Sequence, residues 1–179
     1  MLPDLFRALN FAAKRHSEQR RKGAGAEPYV NHLVEVGFLL SDVGKVQDSD
    51  TLIAAILHDI IEDTPTTLIE IDELFGPRVM QLVGALTDDK LLPKAERKQL
   101  VLAHLITADE SVKLIKLVDL CSNINSIPQE WSPDRLHEYL NWTRQVASLC
   151  AGVSPTLDEL FLSRWLTAKN TQEFRIGQS

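Results

Sequence analysis

Cysteine is nearly missing from this chain: Cys121 and Cys150 are the two it has, and neither belongs to a CxxC pair. That excludes a disulfide framework and a thiolate-based structural zinc motif, and it fits a reducing cytoplasm. No apolar stretch reaches the roughly 18 residues of a membrane span. The opening residues, Met1 to Arg7, lack the basic flank, apolar core and small-residue cleavage site of a secretory signal. Positive charge is in deficit, with 19 Lys and Arg against 25 Asp and Glu, a net charge of −6. A sequence-independent nucleic-acid binder would carry a basic face and a high pI, so no nucleic-acid polymer is expected as a partner. A small anionic ligand held by a local basic patch stays open. Strand-like alternation of apolar and polar residues is also scarce, and glycine and proline fall between periodic segments rather than inside them.

What the chain does have is helical spacing. At 179 residues, with 44% hydrophobic and 25% charged side chains, it is long enough for one well-packed globular domain. Leu5, Leu9, Ala12 and Ala13 mark one face of a first helix, which leads into a cationic loop, Arg20-Arg21-Lys22, containing Gly23 and Gly25. A second helix is predicted over about 31–43, ending at Gly44 as a left-handed terminal residue. Ser49 or Asp50 caps a third helix that carries through His58 and Asp59 to about Ile61. Thr66 or Thr67 caps a short helix ending at Phe75-Gly76, and Pro77 opens the next, which ends near Leu86. Further helices run from about Lys94 to Ile106, Asp109 to Ile127 and Ser132-Pro133 to Ala151, and a last one starts at Ser154-Pro155. The expected fold is a single all-α domain of about eight to ten helices over residues 1–170, with a frayed tail at 171–179.

The chemistry concentrates around His58-Asp59, near the end of the apolar run Thr51 to Leu57 and just before Glu62-Asp63. A run that apolar packs on most sides, and burying an imidazole and carboxylates there without partners is costly. A bound cation removes that cost. His32, opening an amphipathic segment, and Asp119, in the apolar stretch Val112 to Asp119, are candidates for the remaining ligands. Two histidines and two aspartates make a mixed N/O set that suits Mn, Fe or Zn better than Mg or Ca. Glu62, one turn further on, can project beside the ion as a general acid or base, and Asp63 can share the task. Arg21 and Lys22 can bind phosphate oxygens. Each feature also has a plain reading: a histidine hydrogen-bonded near a helix end, a solvated acidic turn, and cations complementing the dipole of the first helix.

The stretches Gln19 to Lys22, Pro28-Tyr29-Val30-Asn31-His32, Ala55 to Thr64 and Lys116 to Asp119 resemble, in this order and spacing, the HD-superfamily hydrolase domain of RelA/SpoT proteins. The likeness extends to Leu74-Phe75-Gly76, Leu86 to Lys90, Pro93-Lys94, Glu96 to Lys98 and Trp131-Ser132, and it is strongest toward the stand-alone small alarmone hydrolases of the Mesh type. It covers roughly residues 5–150. The resemblance implies an all-helical HD fold with one Mn(II) at His32, His58, Asp59 and Asp119, while the donor set itself leaves Fe(II) or Zn(II) open. It implies that Glu62 and Asp63 serve an attacking water, and that pyrophosphate leaves the ribose 3′ position of guanosine tetra- or pentaphosphate. Arg21 and Lys22 match a basic pair at the substrate mouth, and Asn123, Lys94, Arg135 and Tyr139 match substrate-contact positions. Two departures stand out: Leu33 replaces the family's usual proline, and Leu120 to Asn125 lacks two cations common there. No nucleotide-synthetase segment is recognisable, so hydrolysis alone is expected. Left open are another 3′- or 2′-phosphorylated nucleotide such as NADPH, a nucleoside monophosphate, a non-catalytic alarmone sensor, and a homo-oligomer.

Overall fold

The computed structural model describes residues 2–22 and 25–176, with 172–176 as backbone only. Among these, ten α-helices follow one another: α1 (Leu2–Arg15), α2 (Val30–Phe38), α3 (Ser49–Leu57), α4 (Ile60–Asp63), α5 (Leu68–Phe75), α6 (Pro77–Leu86), α7 (Lys94–Thr107), α8 (Glu110–Asn125), α9 (Pro133–Cys150) and α10 (Pro155–Ile176). A π-helical segment, Leu39–Val43, continues α2. The fold is all-α, as expected. The extended pairing among the described residues is an isolated bridge between Arg20 and Pro28. That bridge pinches the base of the cationic loop, whose Gly23 lies outside the described residues.

Two deeply buried helices organise the rest. Every residue of α3 from Thr51 to Leu57 is buried, and α8 buries Val112, Ile115 and an unbroken run from Leu117 to Ser122. A helix apolar nearly all round is stable only when covered on all sides. Helices α1, α2 and α6 cover α3, while α9 and α10 cover α8. The site residues sit where α2, α3 and α8 meet. Caps fall close to the sequence signals: Thr67 accepts from Glu70 N–H, Ser132 from Arg135 N–H, and Pro77 and Pro133 occupy first turns.

Four boundaries differ from the sequence reading. The third helix is capped by Asp48, whose carboxylate accepts from Thr51 N–H at 2.9 Å, rather than by Ser49 or Asp50. It also stops at Leu57 instead of carrying to Ile61. The Ala55 carbonyl, which a continuing helix would offer to Asp59, is taken by His58 Nδ1 at 2.8 Å. Asp59 then adopts φ −97° and ψ 0°, a bridge conformation common at active sites, before α4 resumes. Gly44 is right-handed, with φ −72°, and the left-handed residue is Lys45 with φ 55°. Glycine is needed at 44 for closeness, because a Cβ there would lie 2.7 Å from Leu40 O and 3.0 Å from Leu157 Cδ1 on α10. Helical backbone in α10 carries past Asn170 to Ile176, and 177–179 lie outside the described residues.

Candidate metal centre and active site

Four donor atoms from three separate parts of the chain converge in the seam between α2, α3 and α8. His32 Nε2 and His58 Nε2 are 3.3 Å apart. Asp59 Oδ2 lies 2.9 Å from His58 Nε2 and 3.6 Å from His32 Nε2. Asp119 Oδ1 completes the group at 3.4 Å from His32 Nε2 and 3.6 Å from His58 Nε2. Donors held about 2.1 Å from a common ion sit about 3.0 Å apart on an octahedral edge and about 3.4 Å on a tetrahedral one. The observed separations fall around those two values.

The protonation pattern favours a cation as well. His58 Nδ1 donates to the Ala55 carbonyl, which leaves the Nε2 lone pair turned inward. His32 meets Ser122 Oγ through Nδ1 at 2.8 Å, so its Nε2 also faces the centre. Burial works against an imidazolium at His58, yet Asp59 and Asp119 outweigh it and raise its pKa well above the ordinary value. Burial likewise works against the carboxylates. His58 and His32 nevertheless hold Asp59 well below the usual range, and Lys116 followed by the two imidazoles does the same for Asp119. The centre demands positive charge, and its N and O donors are those of a borderline divalent ion. The residues fit such a metal.

Around these four stand groups that the sequence reading passed over as site residues. Tyr29 O–H donates to Asp59 Oδ2 at 2.5 Å, and burial followed by the charge of Asp59 keeps the phenol protonated. Lys116 Nζ is 3.5 Å from Asp119 Oδ2, one helical turn before it. A lysine inside so apolar a helix was the available signal for it. Tyr29 carried a weaker one, three positions before His32.

The acids behind His58-Asp59 separate into two roles. Asp63 is engaged, accepting from Lys90 and from Gln19 Nε2 at 2.7 Å. Glu62 is looser, with Lys90 Nζ at 3.6 Å. Burial, then the charges of Asp59 and Asp88, push the Glu62 carboxyl above its ordinary value. A raised carboxyl beside a cation site suits a proton acceptor.

The expected phosphate-binding residues form two groups. Arg21 reaches α8, donating to Asn123 Oδ1 at 3.0 Å and to the Ser126 hydroxyl, while Asn123 Nδ2 donates to Asp119 Oδ1 at 2.5 Å. Arg21 is thereby tied through one amide to Asp119. Lys22, Lys94, Arg135 and Tyr139 line one cavity of about 240 Å³ together with Asp88, Arg97, Lys98, Trp131, Glu138 and Trp142. Burial and then the charge of Asp119 raise the Tyr139 phenol, with Arg21 opposing.

The HD domain family model matches residues 8–151. The guanosine-3′,5′-bis(diphosphate) 3′-pyrophosphohydrolase MESH1 of Danio rerio is 39% identical over 168 residues, covering 89% of this chain and 93% of its own. That of Homo sapiens is 40% identical over 171 residues, covering 91% and 96%. A solved structure of a metazoan SpoT ortholog that hydrolyses ppGpp superposes with a TM-score of 0.87 at 34% identity, over 92% of this chain and 94% of that one.

Proposed function

The chain belongs to the HD domain family, and on that premise we propose that it is a metal-dependent hydrolase of guanosine 3′,5′-bis(diphosphate), with Mn(II) at His32, His58, Asp59 and Asp119. Water is consumed, the bond between the ribose 3′-oxygen and phosphorus is broken, and pyrophosphate leaves as the second product. The observation that carries this reading is the convergence of the four donor atoms beside Glu62, in a chain resembling ppGpp hydrolases over nearly its whole length.

When bound, the ion supplies positive charge against the phosphoryl oxygens and acidity to neighbouring solvent. Glu62 takes the proton of the attacking water, a role its raised carboxyl pKa fits. Asp63 fixes Lys90, which places an ammonium beside Glu62. Tyr29 and Asn123 orient the carboxylates of Asp59 and Asp119. Arg21, Lys22, Lys94 and Arg135 offset the charge that spreads over the phosphates, the main demand of such a transition state. The faces of Tyr139 and Trp131, whose rings meet edge to face at 5.3 Å, offer a surface for the nucleoside.

The test is a product assay on protein stripped with a chelator and reloaded with Mn(II). Pyrophosphate release from the tetraphosphate, abolished by stripping and restored by Mn(II), is the expected result. Free phosphate without pyrophosphate, or turnover confined to NADPH or nucleoside monophosphates in a parallel panel, would move the assignment to a different substrate. Tight nucleotide binding with no turnover under any metal would make the protein a sensor.

A further inference from the structure

The two metal histidines are oriented by different means. His58 Nδ1 is bonded to a main-chain carbonyl, which no side-chain substitution removes. His32 Nδ1 is bonded to a side chain, Ser122 Oγ, at 2.8 Å, on a residue with no exposed surface. The same hydroxyl donates to Glu35 Oε2 at 2.7 Å. The far oxygen of Glu35, Oε1, accepts from Arg164 on α10 at 3.0 Å, and that guanidinium nitrogen also donates to Cys121 O at 2.8 Å.

The direction of this line of bonds follows from proton counting. A carboxylate only accepts, and Arg164 only donates. Ser122 has one hydroxyl proton, and Glu35 takes it. The oxygen of Ser122 is therefore left to accept from His32, whose proton must sit on Nδ1 and whose Nε2 lone pair must face His58, Asp59 and Asp119. Replacing the carboxylate by an amide dissolves that logic, since an amide nitrogen can donate to the serine and let the serine donate to the imidazole.

We propose that Ser122, Glu35 and Arg164 form a positioning relay that sets the His32 tautomer for metal binding, so that α10 acts on the centre from outside. Helix α10, Pro155–Ile176, lies beyond residues 8–151, the part that the HD domain model covers. The relay is distinct from the reacting groups and touches none of Glu62, Asp63 or the cationic cavity. The inference rests on the metal site proposed above.

Full-length protein carrying Ser122→Ala, Glu35→Gln or Arg164→Met tests it in two independent readouts. In the first, Mn(II) titration should show affinity falling about 10- to 100-fold for Ser122→Ala and Glu35→Gln, the usual effect of losing a partner of a metal histidine. Arg164→Met, at the outer and partly exposed end, should weaken binding about twofold to fivefold. In the second, nitrogen NMR of metal-free protein at alkaline pH should find the His32 proton on Nδ1 in the parent and a mixture in Glu35→Gln. A merely structural role would lower thermal stability without changing the tautomer. A parent with the proton on Nε2, or a Glu35→Gln protein with parental tautomer and parental Mn(II) affinity, overturns the relay. If Ser122→Ala does not fold, Glu35→Gln and Arg164→Met decide the matter by the same criteria. A parent that binds no Mn(II) but shows the Nδ1 tautomer and its loss in Glu35→Gln would sink the metal assignment and leave the relay standing.

Discussion

Replacing Glu62 by Gln keeps the length and packing of the side chain while removing its capacity to take a proton. The site makes this a clean perturbation. Glu62 is not one of the four converging donors, and Lys90 retains its bond to Asp63 in the variant, so the 87–93 loop keeps its anchor. General-base catalysis contributes about 100- to 10,000-fold, which at about 1.36 kcal/mol per tenfold is about 2.7–5.4 kcal/mol of barrier. kcat for pyrophosphate release should fall by that factor, with KM near the parental value, because a proton acceptor acts in the transition state rather than on the bound substrate. Mn(II) content, measured by elemental analysis on the same preparation, should stay at the parental level. Parental turnover would refute the role given to Glu62. Loss of metal together with activity would refute it differently, by making Glu62 a ligand.

Lys90→Met should move the acid limb of the kcat/KM profile to higher pH. The ammonium pulls the Glu62 carboxyl down against burial and the charges of Asp59 and Asp88, so its removal lets the carboxyl take up a proton earlier as pH falls. An unmoved or downward-moved limb would contradict the pairing. Arg21→Ala should raise KM about tenfold or more with a smaller effect on kcat, since it deletes a guanidinium, held in place by Asn123 and Ser126, that is proposed to bind the phosphates. Parental Michaelis kinetics would return Arg21 to a surface role. Leu57→Ala, at a position with no exposed area in α3, should lower unfolding free energy by about 2–5 kcal/mol in urea titration. A midpoint equal to the parent's would mean that α3 is not the packed centre of the fold.

The helical architecture was legible because its signals are local. Pro77 and Pro133 each open a helix, Thr67 and Ser132 cap one, and the run Thr51 to Leu57 announces a helix buried on every side. That His32, His58, Asp59 and Asp119 would come together was legible for a different reason: histidine and aspartate in apolar helices need compensation, and few such residues exist here to provide it. What escaped notice depended on the third dimension. The break after Leu57 arises because a side chain captures a main-chain carbonyl, which no propensity anticipates. Gly44 reads as a chirality signal, yet it answers to Leu157, more than a hundred positions away. Tyr29, Ser122, Glu35 and Lys90 are ordinary in sequence and acquire a role only through partners on other helices.

A chain with a net charge of −6 that is proposed to bind a polyphosphate needs its charges segregated, and the placement of its side chains does this. At the floor, Asp59, Asp119, Glu62 and Asp63 gather negative charge suited to a divalent ion, with Lys116 and Lys90 committed to Asp119 and to the Glu62-Asp63 pair. Beside the floor, the cavity near Tyr139 is lined by five cations, Lys22, Lys94, Arg97, Lys98 and Arg135, against two carboxylates, Asp88 and Glu138. Its local balance is thus three charges positive in a molecule that is negative overall. Trp131, Tyr139 and Trp142 form its apolar wall, and Arg135 stacks 4.0 Å over the Trp131 ring. Low-dielectric walls focus the field of such a cluster, so an anion is drawn to this cleft in a chain whose overall charge is negative.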